Sequence, residues 1–175
     1  MENTRIKTYK DIFVQNINCG KYKTKKDAMN LIKYITGKSC ITEKQKEVRY
    51  KGGCGVPDYD HELCHNAMYI IKKLYKKTGK NLRCSYHFII SLPAYIQDVN
   101  IIKLVSIETC QLFYNKGFQC IYGIHEDTDN LHIHIVVNST NFKTGKQLHM
   151  SIKELKNFTT ELKKTAFEIL KENGF

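Results

Sequence analysis

Several absences bound what this chain can be. No run of 18 apolar residues occurs, and no apolar block follows a basic start, which argues against a membrane span and a secretory leader and for a cytoplasmic protein. The seven cysteines, Cys19, Cys40, Cys54, Cys64, Cys84, Cys110 and Cys120, are odd in number and none has C-x-x-C spacing. That leaves little room for a disulfide framework or an all-cysteine zinc knuckle, and we expect reduced, mostly buried thiols. Prolines number only two and repeats are absent, while 42% of residues are hydrophobic. A single globular domain over 1–175 is therefore expected. Acidic residues are also short, 17 against 28 Lys and Arg, for a net charge of +11. The lysines gather around Lys21–Lys46 and Lys72–Lys80, interleaved with Tyr22, Tyr34, Tyr69 and Tyr75. Phosphate contact combined with base stacking uses such a mixture, so nucleic acid is the favoured partner.

Periodicity predicts a strand at Ile12–Ile17 and a helix opened by a capping box at Thr24 and Asp27. That helix carries Ala28, Leu31, Ile32 and Ile35 inward and stops at Gly37. Residues 37–60 read as irregular because of Gly52, Gly53, Gly55 and Pro57. Asp60 then caps a helix whose inward stripe is predicted to be Leu63, Ala67, Ile70, Ile71 and Leu74. Strands follow at Cys84–Leu92, Phe118–His125 and Leu131–Asn138, with a helix over Gln97–Asn115. Ser151 and Glu154 form a second capping box, opening a last helix with Ile152, Leu155, Phe158, Leu162 and Ile169. Strands and helices mix without strict alternation, which points to an α+β fold with helices packed on one antiparallel sheet.

The segment Gly123–Asn138 carries the chemistry. Alternate residues of a strand share a face. On Leu131–Asn138 one face is Leu131, Ile133, Ile135 and Val137, wholly apolar, and the other is His132, His134, Val136 and Asn138. His125 closes the preceding strand, and a six-residue loop returns the chain to His132. Cross-strand neighbours lie about 5 Å apart at Cβ, so three imidazoles converge as a divalent metal requires, with positions left open for a phosphate oxygen. A competing motif is His61-Glu62-Leu63-Cys64-His65, which fits the zinc peptidase pattern H-E-x-x-H. Against that predicted stripe, His61 and His65 fall on the solvent side of their helix, with no third ligand in evidence.

The 123–138 segment resembles the third motif of relaxases in the HUH endonuclease superfamily, and more narrowly the MOB-P mobilisation nucleases of bacterial plasmids and integrative elements. Leu31-Ile32-Lys33-Tyr34-Ile35 is similar to the family's first motif, where a tyrosine is the nucleophile. Tyr86-His87-Phe88-Ile89-Ile90-Ser91 is similar to its second, where a serine contacts DNA. Thr144-Gly145-Lys146-Gln147-Leu148-His149 resembles the stretch after the histidines. After Tyr34 the chain departs from the family's N-P-x-K-T-like run, reading Thr36-Gly37-Lys38-Ser39. The resemblance implies the HUH relaxase fold and strand-specific nicking and joining at an origin of transfer through a 5′-phosphotyrosine. It also implies manganese or magnesium as the activating ion, although imidazoles bind other transition metals more tightly. Single-stranded DNA is the implied substrate, with accessory DNA-binding and coupling proteins as partners.

Within that scheme His125, His132 and His134 are the metal ligands and Tyr34 the nucleophile, with Tyr22 the runner-up. Tyr34 sits at the flank of its helix's apolar stripe, so the ring can rest on the helix edge while the hydroxyl reaches out. Asp127 either orients His125, assists the tyrosine's proton, or is a turn residue; Glu126 is a weaker claimant to the same role. Ser91, His87 and Asn138 are expected along the DNA path, with Lys26, Lys33 and Lys38 meeting phosphates. Tyr86 and Tyr122 are expected on the core side of their strands. Rolling-circle initiators and single-strand transposases place their tyrosine after the histidines. No tyrosine follows Tyr122 here, which favours relaxase order. The rival of another class is a basic DNA-binding module with inert histidines.

Overall fold

The computed structural model describes residues 6–17, 22–37, 48–79, 82–126 and 130–175; Asp127 and Lys38 lie outside them. Five strands form one antiparallel sheet: β1 (Phe13–Ile17), β2 (Val48–Cys54), β3 (Ser85–Ser91), β4 (Cys120–His125) and β5 (His132–Asn138). Their spatial order is β1-β3-β5-β4-β2, which puts the two histidine-bearing strands side by side near the centre. Four helices, α1 (Lys25–Ile35), α2 (His61–Leu74), α3 (Val99–Asn115) and α4 (Ile152–Glu172), cover both faces. The α+β class expected from the sequence is the one observed.

Each face has its own core. Leu131, Ile133, Ile135 and Val137 join Tyr86, Phe88, Ile90, Tyr122 and Ile124 in a large apolar cluster under α3 and α4. Phe113 and Phe158, whose ring centroids are 4.8 Å apart, tie those two helices together. The opposite face holds a smaller cluster, Leu31, Ile32, Ile35, Cys64, Met68, Ile121 and Val136, under α1 and α2. Both predicted capping boxes form: Thr24 with Asp27, and Ser151 with Glu154.

Two expectations fail. Part of the span read as irregular, Val48–Cys54, is an edge strand paired with β4. Its glycines mark close approach rather than loop, since a side chain at Gly52 would run into the Tyr122 ring. The second failure is the rotation of α2, which buries Cys64, His65, Met68 and Lys72 while Leu63, Ile70 and Leu74 face outward. Polar anchors set this rotation. His65 Nε2 donates to the Lys25 carbonyl (3.2 Å) and Asn138 Nδ2 to the Met68 carbonyl (3.0 Å). Lys72 Nζ donates to Ser139 Oγ (2.6 Å) and Thr140 Oγ1 (3.3 Å).

Lys72 is 3% exposed, and burial pushes its amine down to about 8 from an ordinary 10.5. Between these values the unfolded chain holds the proton and the folded chain does not, so this group's contribution to stability rises with pH. Urea unfolding of the parent and of Lys72→Met, compared at pH 7.5 and 9.5, should show the parent gaining about 1–2 kcal/mol on the variant. The raised thiol values of Cys54, Cys64 and Cys120 cancel in that difference, and Cys84, whose thiol burial raises and the nearby Lys72 draws down, is replaced by Ser in both proteins. A gap that does not change with pH would mean the ammonium is as well solvated in the fold as outside it.

Candidate metal and nucleophile centre

The central strands deliver three histidines to the α1 side of the sheet. His125 on β4 is directly opposite His132 on β5, and His134, two residues on, is opposite Gly123. The rings are 4.5 Å (His125–His134), 4.9 Å (His132–His134) and 5.6 Å (His125–His132) apart at their centroids. One nitrogen from each lies within 4.8 Å of the others, a donor set that fits a divalent ion. All three are buried. Among the described residues no other such cluster of His, Cys, Asp or Glu is present.

Each ring is held from behind. His125 Nε2 donates to the Ile35 carbonyl (3.0 Å), and His132 Nδ1 donates to the Asn130 carbonyl (3.1 Å). His134 Nδ1 meets His87 Nε2 at 2.8 Å, and His87 Nδ1 meets the Tyr22 hydroxyl at 3.2 Å. Burial, helped by the nearby His125, pushes His87 down to about 4, so its ring is neutral at pH 7.

Tyr34, on the last turn of α1, lies against this cluster. Its ring centroid is 5.6 Å from that of His125 and 5.4 Å from that of His134, edge-on to the latter. Tyr22 stands one step back, with its ring 6.0 Å from His87. The approach of α1 depends on Gly123, because a methyl there would overlap the Ile35 carbonyl oxygen. The sequence reading passed over this glycine. A glycine alternating with histidine on a central strand, in G-I-H, was the signal available for it.

The remaining candidates separate. Ser91 is half-buried on the same face, directly opposite His132. Lys26 is exposed on the first turn of α1, and Lys33 is half-buried beside Tyr34. His87 is buried as the partner of His134 rather than lining an open path. Asn138 also leaves the DNA path. It is fully buried, donating to Met68 and Gln119 and accepting from the Thr140 amide. Tyr86 and Tyr122 occupy the core side, as expected. His65 is 2% exposed and braces α1, so H-E-x-x-H is not a solvent-facing pair, and it forms no three-ligand group among the described residues.

A family model for relaxases, described as the MobA/VirD2-like nuclease domain, matches residues 34–175. The chain belongs to the relaxase family. This relaxase domain is 27% identical over 115 residues to Protein TraI of Escherichia coli, covering 65% of this chain but 15% of that protein's length. It is similar in fold to a structure from work on the molecular basis of vancomycin resistance transfer in Staphylococcus aureus. That likeness has a TM-score of 0.67 and 17% identity, and covers 94% of each chain. Family membership makes this the nuclease domain of a relaxase, and it spans only a small part of the length of the TraI protein it matches. No helix among its described residues is long and apolar enough to cross a membrane.

Because backbone rather than a flexible tip blocks any side chain at Gly123, Gly123→Ala should lift the end of α1 from β4. Folding stability should drop by about 3 kcal/mol or more, and the Tyr34 ring should leave the histidines. Thermal unfolding, and the proximity of the Tyr34 ring to the His125 and His134 rings in NMR, would read both effects. An unchanged melting temperature would show that the helix end is not held there.

Proposed function

We propose that this chain cuts one strand of DNA at an origin of transfer by attack of the Tyr34 hydroxyl on a phosphodiester, with His125, His132 and His134 holding a divalent ion. The observation that carries this reading is the Tyr34 ring lying within 5.6 Å of two of the three clustered imidazoles. When bound, manganese or magnesium supplies positive charge against the non-bridging phosphate oxygens and draws electron density from phosphorus.

The side chains do the rest. The phenol oxygen forms a bond to phosphorus as the bond to the departing 3′ oxygen breaks, leaving a 5′-phosphotyrosine and a free 3′-hydroxyl. The phenolic proton goes to a nearby base, and the leaving oxygen takes up a proton. One phosphoester replaces another, so the same site can run backwards and reseal the strand. Asp127, two residues after His125, belongs to this proposal as the base or as the group that orients His125. Ser91, Lys26, Lys33 and Lys38 are assigned to single-stranded DNA, with accessory DNA-binding and coupling proteins bringing the origin to the domain.

His87 and Tyr22 enter as positioning residues. A buried neutral imidazole bonded to a ligand's far nitrogen fixes that ligand's orientation, and losing such a partner weakens metal binding about 10–100-fold. His87→Ala should therefore lower manganese affinity by that factor in titration calorimetry, with His87→Gln recovering part of it.

Incubation of the protein with an origin-bearing oligonucleotide and manganese tests the nucleophile. Tyr34→Phe should bind the strand like the parent but give no denaturant-stable DNA adduct, while Tyr22→Phe still gives one. An adduct from the Tyr34 variant and none from the Tyr22 variant would move the nucleophile to Tyr22. Chelation of the ion, or His134→Ala, should abolish nicking. Nicking that survives both would remove the metal from the proposal.

A further inference from the structure

The outer face of α2 has no assignment in the nicking chemistry. This helix turns Cys64, His65, Met68 and Lys72 inward and leaves Leu63, Ile70 and Leu74 at 46%, 61% and 68% exposure, with Tyr59 just before it at 71%. A histidine and a lysine are inside and three large aliphatic residues outside, in one row. Scattered surface leucines are ordinary, but a contiguous apolar stripe marks a contact surface.

The stripe is Leu63, Ala67, Ile70 and Leu74, with steps of four, three and four residues. That is the spacing of a coiled-coil seam, running roughly 17 Å along the helix. We propose that α2 is a self-association surface, and that its occupant is the α2 of a second copy of this chain, packed antiparallel.

Three observations select that occupant. The seam reads the same from either end, so antiparallel pairing sets Leu63 on Leu74 of the second copy and the small Ala67 on its Ile70. The charges at the two ends are opposite. Asp58, Asp60 and Glu62 precede or open the helix, whereas Lys73, Lys76 and Lys77 close or follow it. Antiparallel pairing places the acidic end of each copy against the basic end of the other and opposes the two helix dipoles, whereas parallel pairing would stack like charges. A nucleic-acid strand along the same face would meet three carboxylates at one end. The two-fold arrangement is isologous and closes on itself, so it gives a dimer rather than a filament. One helix per copy covers less than the roughly 800 Å² per partner of a standard interface, so the dimer is weak and concentration-dependent.

Sedimentation equilibrium on the 175-residue chain, over a wide concentration range at low salt, tests this without DNA or metal. The parent's weight-average mass should climb from that of one copy towards two. Ile70→Lys, at an exposed position that leaves the core intact, should stay at one copy with an unchanged circular dichroism spectrum. Glu62→Lys and Lys73→Glu alone should each weaken association roughly 3–10-fold. The double charge swap should restore it, because each reversed residue again faces its opposite. A parent that stays at one copy throughout overturns the proposal. So does an Ile70→Lys variant that associates like the parent, or a double swap that fails to recover, since either places the contact elsewhere.

Discussion

The centre depends on one contact, the seating of the α1 end on β4 at Gly123. The last carbonyls of a helix have no partner within it and must find one outside. Here the Ile35 carbonyl finds the ring of His125, and it reaches that ring because Gly123 has no side chain to stop it. A carbonyl only accepts, so the proton of His125 must sit on Nε2, leaving Nδ1 with the lone pair. The helix end thus fixes the tautomer of one imidazole. It also fixes Tyr34, the residue immediately before that carbonyl. Nucleophile candidate and metal-ligand candidate share one mount, and their spacing is set by backbone rather than by rotamers.

The same logic runs through the other two rings with different partners. His132 donates from Nδ1 to the Asn130 carbonyl, which leaves its lone pair on Nε2. Behind Nδ1 of His134 stands the neutral ring of His87, whose hydrogen-bond direction is open until something fixes it. Presenting Nε2 of His134 to an ion puts the proton on Nδ1. His87 must then accept at Nε2 and donate from Nδ1 to the Tyr22 oxygen. Binding at the cluster therefore sets the polarity of a chain of bonds ending at the runner-up tyrosine, and it engages the Tyr22 hydroxyl as an acceptor.

Much of this was legible in sequence, for identifiable reasons. Strand alternation is a two-residue period, so His132 and His134 had to share a face, and the apolar partners Ile133 and Ile135 had to share the other. Capping boxes depend on residues three apart and were equally visible. The rotation of α2 was not legible. Its aliphatic stripe is the stronger pattern, but directional bonds from Lys72, His65 and the Met68 carbonyl override it, and those partners lie 40 to 70 residues away. β2 was hidden because its glycines look like loop until Tyr122 is placed against Gly52, and Val56 and the Cys120 carbonyl against Gly53. Asn138 and His87 lie on the expected face but are buried against Met68, Gln119 and His134, since a face does not say how much chain lies over it.

These differences follow from the unequal character of the two faces. Under α3 and α4 the sheet is sealed by hydrocarbon, and position there is set by area and fit. Under α1 and α2 the apolar cluster is small, and buried polar groups sit beside it: His65, Lys72, His87, Asn138, Ser139 and Thr140. Burying such groups costs free energy unless each is hydrogen-bonded, and a bonded group tolerates far less displacement than a methyl does. The layer that carries Tyr34 is consequently placed by direction-dependent contacts. Hydrocarbon packing would allow a helix to slide by a fraction of a turn at little cost. A ring whose nitrogen must meet the Ile35 carbonyl does not allow it, and a tyrosine on that helix inherits the restriction.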